Sequence, residues 1–203
     1  MRVVALGCAL SLMPLTVVCA QPAPTSQASD RTHVTQLRLE HRSSRQTAGW
    51  VLFSWGGINA VGGGLVAAIE HDRAEWVAAG LVSAAFGVVN ALLAPSLMDL
   101  SEARERNILR EQADSNADFA AIRERERASQ LGVGQTFAFN TGLDVFYIAT
   151  GILVYVLGSV QSPRVAWEQG AGLTFVVQGV PLLAFDIYNW IAANERAEAL
   201  AHR

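Results

Sequence analysis

Apolar residues gather in four windows, 49–69, 76–98, 137–160 and 170–193. Each is long enough to cross a bilayer as a helix, which takes about 20 residues. The first two windows are separated only by EHDRAE (70–75) and the last two only by QSPRVAWE (161–168). Connections that short predict two helical hairpins. Between the hairpins, residues 99–130 carry Arg, Glu and Ala in helical proportions, interrupted by DSNAD (114–118), whose residues favour caps and turns. The pattern predicts two short helices there, each prolonging a neighbouring span outward, with Gly132 and Gly134 marking the joint before the third span. Trp50, Trp55, Trp76, Trp167 and Trp190 all fall near window ends, where indole rings sit at the headgroup level.

The expected fold is an all-α, integral membrane four-helix bundle made of two helical hairpins joined by a charged helical connector. Its divisions are a signal peptide (1–20), a polar N-terminal arm (21–47), a first hairpin (48–99), the connector (100–131), a second hairpin (132–193) and a polar tail (194–203). The signal peptide follows from MRVVALGCALSLMPLTVVCA, which has one basic residue, an apolar run and Val18-Cys19-Ala20 before a polar, Pro/Ser-rich stretch. Cleavage after Ala20 removes Cys8 and Cys19, so the mature chain has no thiol for disulfides or thiolate-bound metals.

Composition agrees with a membrane protein: 51% of residues are hydrophobic and 16% charged, against about 25% charged in ordinary soluble domains. The net charge of −3, and the interleaving of the six connector Arg with acids, argue against a nucleic-acid partner. The expected partners are the lipid bilayer and, beyond it, a second copy of the chain or an envelope protein.

Polar residues inside the windows are the exceptions that need explaining. Asp144 lies seven residues into the third window and Asp186 seven residues before the end of the fourth. Antiparallel neighbours therefore bring both to about 10 Å below one face. Asn59, Asn90 and Asn189 come out on the same side. Asn140, Asp144, Tyr147 and Gly151 share one helical stripe, Gln178, Asp186 and Asn189 another, and Gly80, Ser83, Gly87 and Asn90 a third. The candidate intramembrane cluster is thus Asn59, Asn90, Asn140, Asp144, Tyr147, Gln178, Asp186 and Asn189, turned inward as one group. An ionised Asp at mid-bilayer costs about 2.5–3.5 kcal/mol, so at least one acid of a facing pair is expected to be protonated or matched by a donor.

Other chemistry is thin. His33, His41, His71 and His202 are scattered outside the windows with no metal-ligand spacing, and RERER (123–127) reads as a solvated helix face. Gly62-Gly63-Gly64 reads as helix packing rather than a phosphate loop. With no nucleophile–base set, no dinucleotide fingerprint and no metal motif, neither an enzyme nor a cofactor or metal is expected.

The pair Trp55 and Asn59, GLDxxYxxxG (142–151) and QGxxLLxFD (178–186), together with the signal peptide and four spans, resemble an uncharacterised family of bacterial membrane proteins, a domain of unknown function. The resemblance covers residues 48–193 and implies the architecture and a bacterial envelope, with no activity, cofactor or partner. The favoured reading is a structural or interaction component of the cell envelope whose buried Asn/Asp cluster fixes helix register. The alternative is a small proton, cation or solute channel or transporter using Asp144 and Asp186. A cleaved signal places both termini and the connector in the periplasm, with the spans in the inner membrane. Twelve Arg on that side, against Arg73 and Arg164 on the other, oppose this under the positive-inside rule. The signal peptide is taken to decide, because it directs the first segment exported.

Overall fold

A computed structural model describes residues 24–161 and 165–201. The signal peptide with Cys8 and Cys19, the turn residues 162–164, and His202 and Arg203 lie outside the described residues. The elements are α1 (Pro24–Ile69), α2 (Ala74–Leu93), a 3-10 turn (Ala94–Ser96), α3 (Ala103–Ala113), α4 (Phe119–Val160) and α5 (Ala166–Ala201). The described residues are all-α, with no strand, and four of the helices are long and apolar enough to cross a membrane.

Three of those helices outrun a bilayer. The 46 residues of α1 span about 70 Å at 1.5 Å per residue, more than twice the roughly 30 Å of a hydrocarbon core. The polar arm is therefore the first half of the same helix as the first span. The N-terminal part of α4, the C-terminal end of α5 and all of α3 gather beside it at one end of the molecule, forming a charged head.

Two sequence-based expectations about the connector fail. Gly132 and Gly134 do not mark a joint, since α4 runs unbroken through both. Gly134 is buried against α5, where an added Cβ would stand 3.6 Å from that of Ala193. Packing there offsets the roughly 1 kcal/mol that a helical glycine costs. Nor does the first connector helix prolong α2. Pro95, in the 3-10 turn that closes α2, has no amide hydrogen to continue the ladder. The chain then turns through Glu102 at φ 54° and lays α3 on α1. The other half of the expectation is what the structure has: residues 119–131 extend the third span as one helix, capped by the Asp118 carboxylate, which accepts from Ala120 N at 3.0 Å and Ala121 N at 3.1 Å.

Within the apolar half, α1 packs along α2, α4 along α5, and the hairpins meet through α2 and α5. Glycines set these contacts. A Cβ on Gly63 would stand 2.5 Å from the Gly80 carbonyl oxygen, and one on Gly80 would stand 2.5 Å from that of Gly63. Gly151 and Gly172 oppose each other in the same way between α4 and α5. Of the three consecutive glycines, only Gly63 serves packing, because Gly62 and Gly64 face open space.

The distribution of side chains is inverted relative to a water-soluble protein. Ile58, Leu92, Phe139 and Val160 are each about 70% exposed, while His41, Gln130, Asp144, Gln178 and Asp186 are buried. Large apolar surfaces outside and polar groups inside suggest a membrane protein.

Candidate functional site

Asp144 on α4 and Asp186 on α5 are 4% and 6% exposed, and their carboxyl groups lie within hydrogen-bonding reach of each other. The α4–α5 packing places them, since both sit on the faces that the opposed glycines bring together. They border a cavity of about 480 Å³ that also touches Asn90, Asn140 and Tyr147. Its floor is aromatic: the Phe86 ring meets Tyr147 edge-on at 5.3 Å and Phe175 at 5.4 Å, tying α2, α4 and α5 together. At the head end the walls include Arg45, Ser96 and Thr136. Above the aromatic floor, the backbones of α2 and α4 do not approach. The walls there, Val89 and Leu93 on α2 and Leu143 on α4, are 54%, 53% and 36% exposed, so the cavity opens sideways between these helices.

The cluster expected as one group is divided. Asn59 and Gln178 lie away from this cavity and form a second knot with Ser83. Ser83 Oγ donates to Asn59 Oδ1 at 3.0 Å, and Gln178 Nε2 donates to Asn59 Oδ1 and, at 3.1 Å, to Ser83 Oγ. Gln178 precedes Asp186 by eight residues, which is about 12 Å along α5 and roughly 80° around it. It consequently reaches α1 and α2 rather than α4. Asn189 is buried but returns its amide to the Phe185 carbonyl of its own helix at 2.8 Å. Ser83 had been assigned to a small-residue stripe, and its position three residues from Gly80 was the available sign that it faces the same interface.

The head contains a polar centre that sequence inspection passed over. Glu126, in the run expected to be a solvated face, is only 6% exposed. It accepts from His41 Nδ1 at 2.6 Å, Gln130 Nε2 at 3.2 Å and Arg104 Nη2 at 3.3 Å, and Arg38 Nε lies 3.6 Å away. Arg38 also pairs with Glu111 at 2.7 Å, and Arg42 joins Asp99 at 3.1 Å and Glu105 at 2.7 Å. The expectation fails because Glu126 turns inward between α1 and α3, while Arg125 and Arg123 pair at the rim with Glu111 at 2.9 Å and Asp30 at 3.7 Å. The signal was a stripe on the arm, Val34, Arg38, His41 and Ala48, all buried at helical spacing. Arg38 and His41 in that stripe read as surface residues because their partners are carboxylates rather than hydrocarbon.

Burial opposes ionisation of Glu126, yet the hydrogen bond from His41 and the nearby cations hold its carboxyl down to about 2. Burial also lowers the His41 pKa, outweighing the pull of Glu126. The two effects cannot both rest on a charged imidazole. Arg38 and Arg104 are permanent cations, so they keep Glu126 ionised while His41 stays neutral and donates through Nδ1–H. Among the described residues, no group of three or more His, Cys, Asp or Glu is arranged to hold a metal ion.

A model of the family of unknown function DUF6992 matches residues 51–187. The chain belongs to that family. No curated protein and no solved structure matches it. The DUF6992 segment encloses Asp144, Asp186, the cavity floor and the Asn59–Ser83–Gln178 knot, whereas His41 and Arg38 lie before it and Asn189 after it.

Proposed function

We propose that the chain is an integral protein of the bacterial inner membrane whose Asp144–Asp186 pair is a binding site for a proton or a small cationic solute, in the manner of a carrier or channel component. The observation that carries this reading is that the two acids border open space. If they served only as interhelical glue, their oxygens would be consumed by neighbouring donors, as Asn59 Oδ1 is by Ser83 and Gln178. Instead Asp144 Oδ2 has no partner. A hydrogen bond between two carboxyl groups requires a proton on at least one of them, so the pair is a place where a proton is held and exchanged, and with a single proton it keeps one negative charge. In proteoliposomes carrying an interior pH dye, the natural chain is expected to pass protons or small cations down a gradient, and Asp144→Asn or Asp186→Asn to reduce that flux at least about tenfold, the equivalent of about 1.4 kcal/mol. Flux no greater than in empty liposomes would remove the carrier reading.

A second reading, a structural or interaction component of the envelope, draws support from the Asn59–Ser83–Gln178 knot and the ion-paired head. Both use polar groups to fix helix register. Under either reading the head stands in the periplasm, as cleavage after Ala20 implies. Ser115, exposed in the loop before α4, offers a direct test. As the lone cysteine of the mature chain, Ser115→Cys is expected to react with a membrane-impermeant thiol reagent in intact cells. Labelling only after lysis would put the head in the cytoplasm.

A further inference from the structure

The cavity at the acid pair is shaped for more than a proton. Its volume of about 480 Å³ falls within the roughly 300–1,000 Å³ of small-molecule sites. Its walls present four aromatic rings, Phe86, Phe137, Tyr147 and Phe185, alongside the two carboxyls. Asn90, 7% exposed, also borders it with an amide nitrogen that has no partner, a second buried polar group left open at the same place as Asp144 Oδ2. Aromatic faces attract cations through their quadrupoles, most strongly when both are removed from water. A carboxyl pair sharing one proton adds a full negative charge at the same spot.

We infer that this cavity takes a lipophilic monocation, an ammonium or phosphonium centre carried on an apolar body, which reaches Asp144 and Asp186 sideways from the lipid between α2 and α4. The inference rests on the acid-pair reading and names the ligand class for that same site.

The entry route follows from charge and exposure. From α1 the cavity receives Arg45, whose Nη2 donates to the Ser96 carbonyl at 3.0 Å at the head end. A guanidinium there repels a cation arriving from the aqueous side. The lateral opening is flanked by Val89, Leu93 and Leu143, and apart from Asp144 itself the residues that α2 and α4 give to the lining carry no charge. Facing the pair, α2 contributes Asn90 and no titratable group, and α4 contributes Tyr147 beside Asp144. Nothing apart from the shared proton neutralises the acids locally, so proton and ligand compete. The ligand binds the doubly ionised or singly protonated pair and leaves when the second proton enters.

Equilibrium dialysis of the purified full chain in detergent against tetraphenylphosphonium tests this. Saturable binding is expected in mildly alkaline buffer, at least about tenfold weaker in acid and in Asp186→Asn. Asp186→Asn is nearly isosteric, and a second variant guards against misfolding: Val89→Trp fills part of the cavity from α2 and should weaken binding in the dialysis while leaving both acids in place. Benzyltriethylammonium should compete, and an uncharged triphenylmethane should not. No saturable binding, binding that survives Asp186→Asn, or equal binding of the uncharged analogue would overturn the inference. The acid-dependent flux of protons or inorganic cations decides the broader reading separately. Flux without phosphonium binding would leave a proton or metal-cation site and no lipophilic ligand. Phosphonium binding without flux would leave a binding protein that carries nothing across.

Discussion

Glu126→Ala is expected to cost about 3–5 kcal/mol and to loosen the packing of α1, α3 and α4 within the head, because it removes the one acceptor that His41, Gln130, Arg104 and Arg38 share. Three of those partners are buried, so water cannot replace the lost carboxylate without opening the contact between α1 and α4. Glu126→Gln keeps the volume and one acceptor oxygen but takes the carboxylate partner from Arg104 and leaves Arg38 with Glu111 alone. It should fall between the natural chain and Glu126→Ala. The same centre sets an acid limit. The Glu126 carboxyl titrates near 2 in the folded chain, against an ordinary 4.5, so its stabilisation is present above about 4.5 and is lost as pH falls towards 2. The fall from 4.5 to about 2 corresponds to at most about 3 kcal/mol. His41 acts in the same sense. Its folded pKa is lowered from 6.5, so unfolding in acid lets the ring take up a proton that the folded head resists, and stability declines once pH drops below about 6.5. Melting curves in detergent, followed by circular dichroism, should show a midpoint that is highest near neutrality and falls on acidification, with a weaker fall in Glu126→Gln. A midpoint indifferent to pH from neutrality down to about 2 would remove Glu126 and His41 as the head's organising pair.

The apolar halves of the helices were legible because lipid-length hydrophobic windows constrain length and pairing at once. Short turns such as EHDRAE leave adjacent windows no choice but to pair antiparallel. Asp144 and Asp186 could be matched in depth from the same arithmetic, since rise per residue is fixed. Rotation around each helix was less well determined. Gln178 and Asp186 share a stripe only to within about 80°, and that angle sent one to α1 and α2 and the other to α4. The head resisted reading for a different reason. Charged residues on a helix look solvated unless the partner surface is known, and α3 turns onto α1 only because Pro95 ends α2 and Glu102 adopts a left-handed backbone. Neither event leaves a periodic trace. Ser83 was hidden by its size: on a stripe of glycines it resembles a spacer, and only the position of Asn59 opposite it makes it a donor.

Gly63→Leu should separate the first hairpin. The Gly63 and Gly80 backbones meet so closely that a Cβ at Gly63 would stand 2.5 Å from the Gly80 carbonyl oxygen and 2.6 Å from Ala84 N. Both are backbone atoms, which cannot swing aside as a side-chain tip can. The helices must therefore move apart along their length, and each further turn loses contact, including the Gly56 and Gly87 approach one side of it. Overpacking in a well-filled interior costs about 1–3 kcal/mol when side chains can adjust. Here the obstacle is main chain, so the upper end of that range or more is expected, together with loss of the Ser83–Asn59 hydrogen bond. Gly64→Leu supplies the comparison, because its Cβ would meet nothing within 4 Å and would project from the outer face of α1. The two variants add the same side chain one residue apart, so hydrophobicity and helix propensity change equally. Gly63→Leu should lower the thermal midpoint in detergent by several degrees relative to Gly64→Leu. Equal midpoints would mean that α1 and α2 do not pack through these glycines, and the register that brings Ser83 to Asn59 would have to be redrawn.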